Sequence, residues 1–246
     1  MRQFSISDIK PGNIVDRFGT DFHYLVRVRR VTVNSILPIV DDKGMRYLGT
    51  VIEVGDHHIR IKIGSPQGDT KEEADITLVQ GLSRSTVMDR IVRQVTELGI
   101  TAIVPVISSR TQGRMDGIAF TPRIARWERI TLQATQQSGT KAPLIANPVP
   151  LQQYLEKKNH TTIKLLFSPK ARPLVQVLKA FSPNQLSMPF SVQCAIGPEG
   201  GFTTPEEELF KSCGFHSVGL GAAILRTDTA AIASIAAVKQ ILFSEE

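Results

Sequence analysis

Hydrophobic and polar positions follow two different patterns along the chain, and the change comes near residue 75. Before that point, short stretches rich in Val and Ile recur about every ten residues, at 23–33, 35–42, 47–55 and 57–64. The breaks between them contain Gly, Asp and Pro, which favour tight turns. Several short strands at this spacing predict a small β barrel. Residues 67–75 are polar and charged, and they predict a linker.

Beyond residue 75, patterns of buried strands alternate with helical ones. Strand-like apolar runs lie at 75–82, 100–107, 163–169, 191–198 and 216–221. Apolar residues at helical spacing predict helices over 85–98, over 122–137 and from 228 onward. Thr204-Pro205-Glu206-Glu207 predicts another helix start with Thr204 as its cap. Alternating strands and helices predict a parallel sheet covered on both faces.

Composition is typical of a soluble globular protein, with 41% hydrophobic residues and a mean hydropathy of −0.03 over 246 residues. No apolar run is long enough to cross a membrane, and the start of the chain lacks the apolar core of a signal peptide. The two cysteines, Cys194 and Cys213, form no disulfide framework, which indicates a cytoplasmic protein. The five histidines show no metal-ligand spacing, so no metal site is predicted.

Positive charge is concentrated in one part of the sequence. Residues 1–75 have no net charge, so the whole excess of +6 lies in residues 76–246. Within residues 84–179, 15 Lys and Arg stand against 5 Asp and Glu. This concentration favours a face that binds a polyanion over a merely solvated surface.

Two glycine-bearing turns hold the main candidate chemistry. The first glycine loop is residues 197–201, Gly-Pro-Glu-Gly-Gly, and the second glycine loop is residues 219–229. Both follow apolar runs and precede helical patterns, which is where open α/β sheets bind ligands. Neither matches a phosphate-binding motif, and a carboxylate in the first loop would repel a triphosphate. A ligand with a sugar, a base and a neutral or cationic group fits better, with Leu220, Ile224 and Leu225 able to wall an adenine.

The end of the second glycine loop leads into the last predicted helix. Arg226 precedes that helix, where the positive end of the helix dipole disfavours a cation, so an anionic partner is expected for it. Thr227, Asp228 and Thr229 are typical of helix capping, and Asp228 is also a candidate catalytic carboxylate.

These features resemble the ribosomal RNA small subunit methyltransferase E family, the uridine-N3 methyltransferases of the SPOUT superfamily that use S-adenosylmethionine. The resemblance rests on motifs spread along the chain: Arg2-Gln3-Phe4, His23 followed by Arg29, Thr96-Glu97-Leu98-Gly99, Ser168-Pro169-Lys170-Ala171, Ile196 to Phe202, and Ile224 to Ala230. The pair formed by IGPEGGF and ILRTDTA is the most specific part of the match.

The resemblance implies an α+β protein of two domains. Residues 1–72 would form a PUA-like β barrel that binds RNA, and residues 73–246 an α/β SPOUT domain with a deep trefoil knot. It also implies a homodimer with two active sites at the subunit interface, acting on ribosomal RNA of the small subunit.

Carried over residue by residue, the resemblance assigns the S-adenosylmethionine site to three groups. These are Leu166, Phe167 and Ser168; Ile196, Gly197, Pro198, Glu199, Gly200 and Gly201; and Leu220, Gly221, Ile224, Leu225 and Thr227. Catalysis is assigned to Arg226, which would stabilise a uracil anion, and to Glu199, which would hold the loop, orient the cofactor or attract its cationic sulfur. RNA binding is assigned to Arg2, Arg29, Arg84, Arg110 and Arg226.

Two alternatives stay open at this point. One is a SPOUT methyltransferase that acts on another RNA position. The other is a non-catalytic RNA-binding paralogue, because Gln94, Gln136, Thr140 and Ala223 depart from the family's usual residues.

Overall fold

The computed structural model describes residues 4–6, 9–41, 45–66, 75–111, 120–157, 161–181 and 190–243. The chain divides into two compact units. The first comprises Met1–Lys71 with Thr135–Lys141, and the second comprises Glu72–Ala134 with Ala142–Glu246. The linker was predicted over 67–75: residues 67–74 lie outside the described residues, and Asp75 is the first residue of a strand, so the prediction is wrong at that end.

The first unit contains a five-stranded sheet. Its elements in chain order are β1 (Phe4–Ser5), β2 (Ile14–Phe18), α1 (Gly19–His23), a π-helical turn (Tyr24–Val28), β3 (Ile36–Val40), β4 (Arg46–Val54) and β5 (His58–Pro66). The strand order is β1-β3-β4-β5-β2, with β1 parallel to β3 and the other pairs antiparallel. Ile59, Ile61 and Ile63 of β5 are buried, because alternate residues of a strand point to the same face.

The interpretation of residues 23–33 as a strand is wrong. His23 ends α1, residues 24–28 form the π-helical turn, and β2 forms earlier in the chain, in a segment without a predicted strand. Phe22 and Leu25 are both buried in the core of the first unit. Their three-residue spacing suits a helical turn, whereas the alternation of Val and Arg that favoured a strand lies mostly on exposed positions.

The second unit contains a parallel sheet. Its strands are β6 (Asp75–Gly81), β7 (Ala102–Ile107), β8 (Leu144–Ile145), β9 (Val149–Pro150), β10 (Ile163–Pro173), β11 (Ser191–Ile196) and β12 (His216–Gly219). The order is β12-β10-β11-β6-β7-β8, and β9 also pairs with β7. Every described pair in this sheet is parallel, which confirms the prediction of a parallel sheet.

Helices follow the strands of this sheet along the chain. They are α2 (Ser85–Glu97), α3 (Thr121–Ser138), α4 (Leu151–Glu156), α5 (Leu174–Leu178), α6 (Thr204–Ser212) and α7 (Thr227–Phe243). The predicted helices over 85–98, over 122–137 and from 228 are confirmed to within one residue at each described boundary. None of the helices in the described part of the chain is both long and apolar enough to span a bilayer.

The sheet buries side chains on both faces. Ile76 and Leu78 of β6 belong to a large cluster with residues of α2, α3, α5 and α7, whereas Val79 belongs to a second cluster with α4 and α6. The second cluster includes Phe202, Phe210 and Phe215, whose ring centroids lie 4.8 and 4.9 Å apart in succession. Burial on both faces explains why these strands are almost continuously apolar in the sequence.

Candidate functional site

Three strands of the parallel sheet reach the same edge together. Phe167 of β10 is in register with Ile196 of β11, which is in register with Gln80 of β6. The first glycine loop follows β11, and the second follows β12, so both loops lie at the carboxyl edge of the sheet. An open cleft with about 220 Å³ of free space lies there.

Most of the residues that the family resemblance assigns to the cofactor line this cleft. It is lined by residues 167–169, 196–201, 218, 220, 221, 223–225, 227 and 230. Of the predicted cofactor residues, Leu166 does not line it, because it points to the opposite side of β10 and packs with Val79 and Ala195.

Some lining residues were not assigned to the cofactor from the sequence. Val218 comes just before the second glycine loop and Ala230 just after it, and Pro169 follows the assigned Ser168. Each of these residues is adjacent in the chain to an assigned residue or loop, and this adjacency is the sequence feature from which they could have been predicted. Ala223, one of the departures from the family's residues, also lines the cleft and is exposed.

The first glycine loop requires glycine at two positions. A Cβ on Gly197 would lie 2.8 Å from Gly201 Cα and from the backbone nitrogen of Phe202, so a side chain there has no room. Gly201 has φ of +69°, a conformation that other residues rarely adopt. The loop is therefore folded tightly on itself, with its backbone facing the cleft.

Thr227 joins the two glycine loops. Its hydroxyl donates to the carbonyl oxygen of Gly197 at 2.5 Å and accepts a hydrogen bond from Gln80 Nε2 at 3.1 Å. Both Gln80 and Thr227 are buried. Gln80 carries no local motif, since nothing near it in the chain indicates a partner 147 residues away.

Glu199 is held at the start of α2. Its carboxylate accepts a hydrogen bond from the backbone N–H of Arg84 at 3.1 Å, one residue before the helix. A carboxylate at this end of a helix is favoured by the helix dipole. On the other side of the loop, Arg110 Nη1 donates to the carbonyl oxygen of Gly200.

A capping box fixes the helix that follows the first glycine loop. Thr203, not Thr204, is the cap of α6, and Glu206 completes the box. The Glu206 carboxylate accepts four hydrogen bonds, from the backbone N–H and hydroxyl of both Thr203 and Ser109. Partial burial opposes its ionisation, but these bonds outweigh burial and hold the pKa of Glu206 below its ordinary value.

Arg226 lies between two residues of the cleft wall, Leu225 and Thr227, with an exposed side chain. No ion pair among the residues that the structure describes involves it. The neighbouring Asp228 is buried and paired with Arg90 of α2. Arg226 is therefore a cation at the rim of the cleft, whereas Asp228 is part of the α2–α7 packing.

The arginines assigned to RNA lie in different places. Arg84 and Arg110 are exposed next to the first glycine loop. Arg84 bonds to that loop through its backbone N–H, and Arg110 bonds to it through its side chain. Arg29 follows the π-helical turn of the first unit and is half-buried, with Nη1 buried and without a hydrogen-bond partner. Arg2 lies outside the described residues.

The other three departures from the family's residues do not line the cleft. Gln94 is a half-buried residue of α2, and Gln136 and Thr140 belong to the 135–141 segment of the first unit.

The chemistry of the cleft favours a neutral or cationic ligand with an apolar part. Its walls combine apolar side chains, such as Phe167, Leu220 and Ile224, with loop backbone. Among its described lining residues, Glu199 is charged and none is a lysine or an arginine, so phosphate groups would find no counter-ion in the cleft. Within the described ranges, no three His, Cys, Asp or Glu side chains are grouped as a metal site would require.

Two family descriptions match the chain. Residues 70–239 match an RNA methyltransferase domain, and residues 19–64 match an RNA methyltransferase PUA domain.

Relatives match over most of the chain. A ribosomal RNA small subunit methyltransferase E from Aquifex aeolicus is 31% identical over 232 residues, which cover 93% of this chain and 95% of the relative. The corresponding protein from Buchnera aphidicola subsp. Schizaphis graminum is 30% identical and covers 91% of this chain and 88% of its own length.

Solved structures give the same picture. A ribosomal RNA small subunit methyltransferase E from Neisseria gonorrhoeae, crystallised with S-adenosyl methionine, superposes with a TM-score of 0.76 at 30% identity, covering 99% of this chain and all of that chain. A methyltransferase from Legionella pneumophila in complex with the same cofactor gives 0.73 at 25% identity, covering 97% and 98%.

Proposed function

Because this chain belongs to the ribosomal RNA small subunit methyltransferase E family, we propose that it methylates 16S ribosomal RNA with S-adenosylmethionine, at N3 of a uridine. The observation that supports this proposal most directly is the cleft between the two glycine loops. The cleft lies at the carboxyl edge of the parallel sheet, has apolar walls and contains the carboxylate of Glu199. These features suit a nucleoside with a cationic sulfonium group.

The residues of the cleft fit the cofactor by their chemistry. Leu220, Ile224 and Leu225 supply an apolar wall for the adenine, and the backbone of the first glycine loop approaches without a Cβ at Gly197. The carboxylate of Glu199 attracts a cationic group and also holds the loop on α2. When bound, S-adenosylmethionine supplies an electrophilic methyl group. We therefore assign to Glu199 a role in orienting the cofactor.

Arg226 is assigned to the substrate side of the reaction. N3 of neutral uracil carries a proton, and its loss leaves negative charge shared with the uracil oxygens. A guanidinium held near those oxygens stabilises that charge. Arg226 is exposed at the rim of the cleft, next to the apolar wall at Leu225, which is where a uracil approaching the cofactor would meet it.

The remaining parts of the proposal rest on the family. Residues 1–72 act as a PUA-like barrel that binds RNA together with Arg2 and Arg29, and residues 73–246 act as a SPOUT domain with a trefoil knot. The working form is a cytoplasmic homodimer, for which sedimentation of the purified chain should give twice the mass of 27.1 kDa.

The experiment that tests the function compares 16S ribosomal RNA from cells with and without this gene by mass-spectrometric mapping. We expect one N3-methyluridine to disappear in the deletion and to return when the gene is restored. Calorimetric titration of the purified protein with S-adenosylmethionine accompanies the mapping and should show binding.

The outcomes separate the alternatives. Loss of a methyl group at another atom or nucleotide would replace the uridine-N3 assignment with a different RNA methylation. No lost methyl group, together with no cofactor binding at millimolar concentration, would overturn the enzymatic function and leave a non-catalytic RNA-binding protein.

A further inference from the structure

Gln80 lies at the point where the cleft meets the sheet, although it is not part of the cleft wall. It is the penultimate residue of β6, fully buried, and in register with Ile196 at the end of β11. The chain leaves the sheet just after both residues, where backbone carbonyls lose their strand partners and must find other donors.

The side-chain amide of Gln80 meets only acceptors at its nitrogen end. Nε2 lies 3.0 Å from the carbonyl oxygen of Gly81, 3.1 Å from Thr227 Oγ1 and 3.3 Å from the carbonyl oxygen of Gly197. The carbonyl oxygen of Ile196 is at 3.5 Å. The two N–H groups of the amide thus face four acceptor oxygens. Because only the nitrogen end of the amide can donate to them, these acceptors determine the orientation of the side chain.

The same junction is closed from the other side. The hydroxyl of Thr227 accepts from Gln80 and donates to the carbonyl oxygen of Gly197, so three groups form a ring of hydrogen bonds. Gly197 begins the first glycine loop, and Thr227 lies where the second glycine loop becomes α7. The two walls of the cleft are joined through this buried ring.

We propose that Gln80 is a positioning residue for the cofactor: with Thr227 it fixes the spacing of the two glycine loops that form the cleft. This inference rests on the proposed function, since it assumes that the cleft holds S-adenosylmethionine. Gln80 acts through the loop backbone and does not touch the ligand.

The test measures cofactor binding by calorimetry in Gln80→Met, which keeps the side-chain volume and removes the amide. We expect the Kd for S-adenosylmethionine to rise about tenfold, because buried carbonyls lose their donor and the loop is no longer held. Without the cofactor, the backbone N–H groups of Gly197 and of residues 199–201 should exchange hydrogen faster in Gln80→Met than in the wild type. The KM for the cofactor should rise more than kcat falls.

Gln193→Met is the matched control. Gln193 is also a buried glutamine on a central strand, with Nε2 bonded to Thr161 at 2.7 Å and Oε1 without a partner. It lies on β11 three residues before Ile196, away from the cleft. We expect this variant to lose thermal stability without a change in cofactor Kd, and an equal loss of affinity in both variants would overturn the positioning role.

If Gln80→Met folds poorly, variants of Thr227 test the same ring of hydrogen bonds. Thr227→Val removes the hydroxyl and should weaken binding about tenfold, whereas Thr227→Ser should restore it. In the double variant with Gln80→Met the loss should stay near that of the worse single variant, because the two residues act as one unit. Multiplication of the two losses would contradict the inference.

Failure of the positioning role can be told apart from failure of the function. A wild-type protein that binds no S-adenosylmethionine would contradict the proposed function. A wild-type protein that binds it, alongside Gln80→Met and Thr227→Val variants of equal affinity and equal amide protection, would contradict only the role of Gln80.

Discussion

At the scale of single residues, the two proposed catalytic groups differ in how the protein holds them. Glu199 is bonded to the backbone at the start of α2, so its carboxylate has a fixed position in the cleft wall. Arg226 is exposed and has no ion-pair partner among the described residues, although its neighbours Leu225 and Thr227 both line the cleft. The backbone carbonyl of Arg226 accepts a hydrogen bond from the N–H of Ala230, so the main chain is held by α7 while the exposed side chain can turn toward a substrate.

Arg226→Ala tests the substrate-side role. We expect methyl transfer to fall at least about a hundredfold, because the charge on the uracil would lose its stabilising cation. The Kd for S-adenosylmethionine should stay unchanged, since Arg226 does not line the cleft. Single-turnover rates and calorimetry check the two halves of this prediction.

Lys211→Ala is the control for removing one positive charge, because Lys211 is exposed on α6 and paired with Glu208 at 2.6 Å, away from the cleft. It should transfer methyl groups at the wild-type rate. Wild-type transfer by Arg226→Ala would rule out the assignment of Arg226.

At the scale of elements, α6 shows how a helix start supports the first glycine loop. The helix begins at Thr204, three residues after Gly201, and Glu206 of its capping box bonds both to Thr203 and to Ser109 in the segment after β7. Phe210 of the same helix is fully buried between the rings of Phe202 and Phe215. One end of α6 is thus fixed by polar contacts and its inner face by aromatic packing.

Glu206 makes this support dependent on pH. Its pKa is lowered in the folded chain, so the ionised carboxylate contributes stability above the ordinary value of 4.5, and that contribution is lost as the pH falls through the lowered pKa. We expect Glu206→Gln to lower the free energy of unfolding by about 1 kcal/mol near neutral pH. The difference from wild type should shrink as the pH falls below 4.5, as measured by urea unfolding across the range.

Glu208→Gln is the matched variant within α6. Its exposed pair with Lys211 is weakened by solvent screening, so Glu208→Gln should lose much less stability than Glu206→Gln at neutral pH. A loss in Glu206→Gln that stayed constant with pH would show that the carboxylate's charge is not what stabilises the helix start.

At the scale of the whole molecule, the distribution of positive charge along the chain determines which part of it would attract RNA. The excess of positive charge lies in residues 84–179. The structure partly neutralises it, because Arg90 and Arg126 pair with the buried Asp228 and Asp89. Arg84 and Arg110 lie beside the first glycine loop, which makes them the residues to test for contact with RNA.

Arg84→Ala tests whether this charge contacts phosphate. The variant keeps the backbone N–H that binds Glu199, so the cleft should be preserved. We expect weaker binding to 16S ribosomal RNA and a slope of log K against log salt that is smaller by about 1. Filter binding from low to moderate salt measures the slope, with Lys211→Ala as the control, and an unchanged slope would remove Arg84 from the RNA-binding face.

The sequence by itself determined the five longer strands and the four longer helices of the second unit and the position of its two glycine loops, whereas β8, β9, α4 and α5 were not predicted. Continuous apolar runs and helical spacing are local properties, and glycine turns after apolar strands mark the edge where a parallel sheet binds ligands. The sequence could not determine the secondary structure of residues 23–28, since a short run of Val and Arg is compatible with either a strand or a helical turn.

Only the tertiary structure decided which residues meet at the cleft. Leu166 was assigned with its neighbours, but the alternation of side chains along β10 directs it to the far face of the sheet. Gln80, which carries no local motif, joins Gly197 and Thr227 because the ends of β6 and β11 are adjacent in space. Hydrogen bonds between residues more than a hundred positions apart depend on how the chain packs, and no periodicity in the sequence records that packing.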